Sequence, residues 1–284
     1  VGLFFISCIG FVYGSLTKAP AKSIADILIK IISPVVVVSI VRSPADFLYL
    51  KFSVGAFLFC SLLCLIAYFL SSPLFKGKER NLFAFTAGTG NTGYFALPIV
   101  LSLFNENQVA IAIFIIIGVN LYEFSVGYYV MSMNGGIREA IQKTLKLPVI
   151  HAAILGIVIK YSGVHLNNDI LYVLDNFKGA YSVMGMIIIG MVLSVNAKSI
   201  PDFKFLLVAL SWKHLLVPVA SCVFIFIPHE QFLVVFLMAL TPLAGNTVVF
   251  SSSLDLHPEK AASAVLLSSL LSIVLIPVSM KIIS

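Results

Sequence analysis

The sequence carries few charged residues. Of its 284 residues, 12 are acidic and 18 are basic, so charged residues make up 11% of the chain, against about 25% in soluble domains. Apolar residues make up 60%, and the mean hydropathy is +1.07. No polar block is long enough to form a soluble domain. This composition predicts an all-α polytopic membrane protein whose partner is the lipid bilayer.

Residue patterns that bind metals or catalyse reactions are also missing. The four cysteines, Cys8, Cys60, Cys64 and Cys222, lie in apolar stretches, and no His accompanies the Cys60–Cys64 pair. The sequence therefore predicts neither a disulfide framework nor a metal site. Paired acids and His-x-x-x-His are absent from the apolar stretches, which argues against an enzyme. No ATP-binding loop is present, and no cofactor is expected.

Ten apolar stretches lie between charged or Pro/Gly-rich breaks. A bilayer-spanning helix needs roughly 17–25 residues. The predicted spans are 3–17, 24–42, 51–72, 82–103, 109–132, 148–164, 178–196, 203–227, 231–253 and 261–283.

The net charge of +6 indicates membrane topology, not a nucleic-acid partner, because the basic residues are spread over short loops. Eleven lie in one set of alternate loops: Lys18, Lys22, Lys76, Lys78, Arg80, Arg138, Lys143, Lys146, Lys198, Lys204 and Lys260. Five lie in the other set: Arg42, Lys51, Lys160, Lys178 and Lys281. Cytoplasmic loops carry the excess of Lys and Arg. We therefore expect a multi-pass protein of the cell (inner) membrane with both termini outside and a cytoplasmic loop at 133–147.

The same tripeptide interrupts two of the predicted spans. Gly90-Asn91-Thr92 and Gly245-Asn246-Thr247 lie 155 positions apart, with Pro98 and Pro242 nearby. Gly, Asn and Pro are poor helix formers, and paired broken helices in two halves point to a transporter's binding site. An Asp-Phe pair recurs at 46–47 and 202–203, an offset of 156. Ten spans then divide into two five-helix repeats, 1–132 and 148–284, of inverted orientation.

These residues resemble the auxin efflux carrier family of membrane permeases. The stretch from Gly90 to Pro98 is similar to that family's fourth-helix signature, and Pro242-Leu243-Ala244-Gly245-Asn246 to its ninth-helix Pro-x-Ala-x-Asn. The segment from Leu147 to Gly163 is similar too. The resemblance covers nearly the whole chain, and bile acid/sodium symporters are more distantly similar.

The resemblance implies a scaffold of helices 1, 2, 6 and 7 and a core of helices 3–5 and 8–10, in which broken helices four and nine cross. It also implies elevator-like transport of small organic anions and a homodimer formed through the scaffold. The stretch Tyr181-Ser182-Val183-Met184 departs from the family's proline-led entry to helix seven. We expect that departure to concern the scaffold and to leave the crossover unaffected.

The ends of two crossed, broken helices offer free N–H and C=O groups together with helix dipoles. A carboxylate substrate fits such a place, and the predicted contacts are Asn91, Thr92, Tyr94, Asn246 and Thr247. Gly90, Gly93, Pro98, Pro242 and Gly245 are expected to shape the breaks. The alternative is that the Asn and Thr side chains only cap the broken ends.

Ionisable residues inside predicted spans are functional candidates. Glu123, near Asn120, and Lys213 each lie about 14 Å from the predicted cytoplasmic side at helical rise. Equal depth allows a Glu123–Lys213 contact, either as a coupling site or as a structural ion pair. Coupling to H⁺, to Na⁺ or to neither stays open at this stage.

The function predicted from sequence is a secondary transporter of small organic anions. The alternatives are an anion channel and a transporter-like membrane sensor. A channel does not need inverted broken helices, and a sensor usually carries a soluble output segment.

We predict that an impermeant thiol reagent applied to intact cells labels single cysteines placed at either terminus. A single cysteine at position 140 should stay unlabelled until the cells are permeabilised, because the loop at 133–147 carries the basic residues of the cytoplasmic side. Labelling of position 140 from outside would contradict the inverted-repeat prediction.

Overall fold

The computed structural model describes residues 2–38, 49–132, 148–164, 166–196 and 202–283. Within these ranges the chain is helical and contains no strand. Ten helical segments, α1 to α10, each overlap one of the predicted spans. Their bounds are α1 Gly2–Thr17; α2 Ala21–Ile27 through Ser33–Val38; α3 Leu50–Leu70; α4a Gly77–Gly88 and α4b Thr92–Ala96 through Leu97–Leu103; α5 Glu106–Tyr122 through Tyr128–Met131; α6 Pro148–Tyr161; α7 Asn168–Asn196; α8 Phe203–Ser211 through Cys222–Phe224; α9a His229–Ala239 and α9b Asn246–Leu254; and α10 Pro258–Ile283.

Four of the described helices are long and apolar enough to cross a membrane: Leu50–Leu70, Asn107–Met131, Phe203–Phe224 and Pro258–Ile283. Many large apolar side chains on the helices face outward, including Leu16, Phe69, Leu207 and Ile282. Water would disfavour so much exposed apolar surface, whereas lipid solvates it. The chain is a multi-pass, helical integral membrane protein. Ten crossings, the inverted repeat and its orientation stay predictions, and the loop at 133–147 lies outside the described residues.

Helix α7 begins ten residues before the predicted span at 178–196. The side chain of Asn167 accepts a hydrogen bond from the amide of Ile170 at 2.9 Å, which caps the helix N-terminus. Asp169 in the first turn also favours the start of a helix. Polar residues such as Asp175 lower the local hydropathy but do not stop the helix, which is why hydropathy placed its start too late.

The ten segments pack into two groups. In the first group α1 contacts α7, and α2 contacts both α6 and α7. In the second group α3 contacts α4a and α5, α9a contacts α5, and α10 contacts α8 and α9b. Contacts of α7 with α9b and α10, and of α2 with α9b, join the two groups. Whether the first group acts as a fixed scaffold and the second as a moving core stays a prediction.

An ion network joins the first turns of α4a, α8 and α10. Lys260 Nζ lies 2.6 Å from Asp202 Oδ2 and 2.7 Å from Glu79 Oε1. Asp202 also caps α8, because its Oδ1 accepts the amide of Phe205 at 3.0 Å. The hydrogen bond from Lys260, and then that from the Phe205 amide, lower the pKa of Asp202. The Asp-Phe pair at 202–203 is therefore a helix start; its counterpart at 46–47 lies outside the described residues.

Aromatic side chains fill the interior between α4a, α5, α8 and α9b. The rings of Phe85 and Phe124 lie 5.5 and 5.2 Å from that of Phe250, both edge-on. The ring of Phe83 lies 5.8 Å from that of Trp212, also edge-on. Edge-to-face pairs at these distances are favourable beyond the area that they bury. This packing fixes α4a and α9b relative to α5 and α8, and so positions the two breaks.

Candidate functional site

The first helix break, 89–91, separates α4a from α4b, as the sequence predicts. The last carbonyls of α4a have no partner within that helix and would be costly to leave unsatisfied in an apolar interior. Side-chain donors satisfy three carbonyls at this end: Tyr122 Oη donates to Phe85 O at 2.9 Å, Trp212 Nε1 to Ala87 O at 3.1 Å, and Lys213 Nζ to Thr89 O at 3.0 Å. Side chains of α5 and α8 thus supply the hydrogen bonds that the broken end of α4a lacks.

The second break, between Ala239 and Asn246, separates α9a from α9b and is held mainly by α10. The hydroxyl of Ser268 accepts the amide of Leu243 at 2.9 Å, and Ser272 Oγ donates to Leu240 O at 3.1 Å. Both serines are buried. A serine hydroxyl can serve as donor or acceptor, which suits a break that frees both kinds of backbone group.

The two breaks contact each other directly. The amide of Asn91 donates to the carbonyl oxygen of Pro242 at 2.7 Å. A Cβ atom added at Gly90 would lie 2.8 Å from Thr241 Oγ1 and 2.9 Å from Lys213 Nζ. Any larger residue at this position would force Thr241 or the end of the Lys213 side chain to move. The backbone at Gly90 and Pro242 therefore forms the point where the two broken helices meet.

Glu123 lies against this meeting point. It begins a π-helical turn in α5, a local feature that often marks functional sites, and its side chain is buried. Its carboxylate accepts hydrogen bonds from Thr89 Oγ1 and from Asn246 Nδ2. The other side of the Asn246 amide accepts a hydrogen bond from the Tyr181 hydroxyl of α7. One carboxylate thus contacts both breaks.

Lys213 lies on the opposite side of Thr89. It is 3% exposed and belongs to a π-helical turn in α8. No direct ion pair joins Lys213 to Glu123, although both residues are described. Instead, the Thr89 hydroxyl donates to Glu123 and the Thr89 carbonyl accepts from Lys213. The sequence allowed a direct contact between Glu123 and Lys213. In the structure Thr89 lies between them and bonds to both, because the broken end of α4a separates the two charges.

A cavity of about 270 Å³ ends at the first break. Its walls are mostly apolar and come from α3, α5, α8 and α9a; Phe52, Phe59, Val119, Phe224 and Met238 contribute. Its floor includes Thr89, Gly90, Thr92 and Lys213. The arrangement places a buried ammonium group and a helix break at the end of an apolar pocket. Such a pocket fits a small molecule with one negative group and an apolar body.

The predicted substrate contacts fall on two sides of the meeting point. Thr92 lines the cavity beside Lys213, which the sequence predicts as a coupling residue, whereas Asn91 and Asn246 line a much smaller space with Tyr181. Thr247 is buried, and its hydroxyl has no hydrogen-bond partner among the described residues. The main-chain positions of Tyr94 and Pro98 are helical, but their side chains lie outside the described part of the structure.

The predicted break-shaping residues differ in how tightly they are placed. Gly245 precedes the first residue of α9b, and Pro242 supplies the carbonyl oxygen described above. Among the described residues, a Cβ atom at Gly93 would meet only Ile116 Cγ2, at 3.8 Å, so these neighbours leave room for a side chain. Asn120 is half-buried, one turn before Glu123, and does not line the cavity.

Four residues of the site do not stand out from the sequence: Thr89, Tyr181, Trp212 and Ser268. Thr89 directly precedes the tripeptide and Trp212 directly precedes Lys213, so adjacency was an available signal for both. Tyr181 belongs to the stretch that departs from the family pattern. Its hydrogen bond to Asn246 corrects the expectation that this stretch leaves the crossover unaffected, because α7 packs against α9b. Ser268 is one of several serines in α10, and its partner depends on how α10 packs.

We predict non-additive effects of Glu123→Gln and Lys213→Met on the thermal stability of the purified protein. Either change alone leaves one buried charge without its opposite, which costs about 3–5 kcal/mol in the buried limit. The double variant should recover part of that loss. Thr89→Val should destabilise, and Thr89→Ser, which keeps the bridging hydroxyl, should not. Strict additivity of the two single changes would show that the charges are independent.

The chain is similar to an uncharacterized transporter of Methanocaldococcus jannaschii, with 30% identity over 197 residues. The matched region covers 66% of this chain and 64% of that relative, which is slightly less than two thirds of the relative's length. No protein-family model matches the chain. The resemblance to the auxin efflux carrier family therefore stays a prediction, and the similarity that is detected is to an uncharacterized transporter.

Proposed function

We propose that this protein is a membrane transporter, and more specifically a secondary transporter of small organic anions. The observation that carries the proposal is the cavity that ends at two contacting helix breaks with the ammonium group of Lys213 in its floor. A buried cation inside a membrane protein attracts an anionic partner and is seldom retained without a role. The similarity to a transporter of an archaeon supports the same class of function.

In this proposal the substrate carboxylate lies between Lys213 and Thr92, and the apolar walls contact the rest of the molecule. Asn91 and Asn246 act from behind the floor, where Asn246 holds Glu123 through its amide. This differs from the direct substrate contact expected for the Asn pair from sequence. The substrate contact expected of Tyr94 stays a prediction.

The cavity has access from one side. Its outer part is lined by Lys51 at the start of α3, by Phe224 at the end of α8 and by Gln231 at the start of α9a. The predicted topology puts these helix ends outside the cell. On the other side of the breaks, Phe85, Phe124 and Phe250 are all buried and in contact. One open side and one packed side support alternating access over a continuous anion channel.

An elevator-like motion would shift α9b relative to α7. The hydrogen bond from Tyr181 to Asn246 joins the two packing groups, so it would have to break in each cycle. This single bond is a modest cost, because a typical net hydrogen-bond contribution is about 1 kcal/mol. We propose that the group containing α1, α2, α6 and α7 stays fixed and also forms the homodimer contact.

We predict that purified protein in liposomes catalyses counterflow of a small carboxylate, with a panel of carboxylates used to find the substrate. Lys213→Met and the nearly isosteric Thr92→Val should each lower transport at least tenfold, because both side chains line the cavity floor. Lys281→Met, the same chemical change at an exposed site near the end of α10, is the matched control.

Counterflow that saturates with substrate concentration would indicate a carrier. A channel would give flux down the gradient without counterflow. Parent-rate transport by both Lys213→Met and Thr92→Val would show that the cavity floor is not the substrate site. Absence of flux for the whole carboxylate panel would remove the proposed substrate class.

A further inference from the structure

The broken end of α4a is a place where a cation is stabilised. Carbonyl groups at a helix C-terminus carry a partial negative charge of about half an electron, and here they lie in an apolar interior. The carbonyl of Thr89 points to Lys213 Nζ at 3.0 Å. The ammonium group therefore occupies the position that a free cation would take at this break.

Residues of both breaks surround the ammonium group of Lys213. A Cβ atom at Gly90 would lie 2.9 Å from Lys213 Nζ and 2.8 Å from Thr241 Oγ1. Gly90 thus provides space for the ammonium group, and the Thr241 hydroxyl of the second break lies beside the same space. Oxygen atoms from a carbonyl and a hydroxyl suit an ammonium ion, and they also suit a hard metal cation such as Na⁺.

Charge balance points the same way. Glu123 contributes one negative charge across Thr89, and Lys213 contributes one positive charge. The side chains that face this pair from neighbouring helices carry no charge: Thr89 of the first break, Asn246 of α9b and the thiol of Cys60 in α3. A mobile cation at this position would lie directly beside the Lys213 ammonium group, and repulsion between like charges at low dielectric is expensive.

We propose that Lys213 is a tethered cation that takes the place of a mobile coupling ion, so that the parent protein binds no Na⁺ at its crossover. Removal of the Lys213 side chain opens this position to a small free cation. The consequence for coupling, transport that is independent of Na⁺, rests on the proposed transport function. The binding site itself does not.

The test measures thermal unfolding of three purified proteins: the parent, Lys213→Ala and the matched control Lys281→Ala. Each is titrated with methylammonium chloride or NaCl, and N-methylglucamine chloride keeps the ionic strength constant. Methylammonium replaces the charged end of the missing side chain, so it should raise the unfolding midpoint of Lys213→Ala saturably, by about 5 °C at a hundredfold excess over its Kd. Na⁺ should give a smaller saturable rise. The parent and Lys281→Ala should shift by less than a degree with either ion.

A saturable Na⁺-dependent stabilisation of the parent would overturn the proposal, because it would reveal a sodium site beside an intact Lys213. Lack of any cation-specific response in Lys213→Ala would overturn it as well. If Lys213→Ala does not fold, Glu123→Gln is added to remove the stranded negative charge. That double variant should still respond saturably to methylammonium, with weaker affinity, and a flat titration would contradict the proposal.

The fluorescence of Trp212 gives a second readout. It is the only tryptophan of the chain and directly precedes Lys213. Its emission should change with methylammonium in Lys213→Ala over the same concentrations that raise the unfolding midpoint, and stay constant in the parent. A mismatch between the two concentration ranges would place the cation elsewhere. Neither the unfolding midpoint nor the Trp212 fluorescence needs a substrate. A counterflow assay without exchange would therefore count against the transport proposal and would not affect the cation-binding result.

Discussion

Two interrupted helices in an apolar environment need partners for every backbone group that the interruption frees. In this protein much of the need is met where the breaks contact, through the bond from the Asn91 amide to the Pro242 carbonyl, and around it by side chains from α5, α8 and α10. Thr89 is central, because its hydroxyl donates to Glu123 while its carbonyl accepts from Lys213. Two charges of opposite sign are thereby buried with one residue between them, and each lies beside the helix end that favours it.

This arrangement explains why the protein has an apolar cavity on one side of the breaks and dense aromatic packing on the other. In the proposed function the cavity needs walls that do not compete with Lys213 for the substrate, and apolar residues such as Phe59 and Val119 meet that need. The packed side keeps α4a and α9b aligned, so that the backbone at Gly90 and Pro242 stays in register. A transporter that exposes its site to one side at a time requires this kind of asymmetry. In the proposed function, the charges at the breaks select the substrate and the aromatic packing closes the other side.

The sequence predicted the positions of both breaks because Gly, Asn and Pro act locally on the backbone. It also singled out Glu123 and Lys213, since ionisable residues are rare in apolar stretches. It could not predict that Thr89 bridges them, or that Asn246 lies on the side away from the cavity. Those facts depend on how six helices pack and on which way a side chain leaves a broken helix end. The late predicted start of the seventh span has a different cause, since hydropathy does not register a capped, polar first turn.

The most direct measurement of the central claim compares Gly90→Ala with Gly93→Ala in thermal unfolding of the purified protein. The added methyl group at Gly90 would meet Thr241 Oγ1 and Lys213 Nζ at under 3 Å, whereas at Gly93 it would meet only Ile116 Cγ2 at 3.8 Å. If the ammonium group lies between the two breaks, Gly90→Ala lowers the unfolding midpoint by several degrees and Gly93→Ala leaves it within about a degree of the parent. Equal midpoints for the two variants would contradict the account, because they would show that Thr241 Oγ1 and Lys213 Nζ are not held in place beside Gly90.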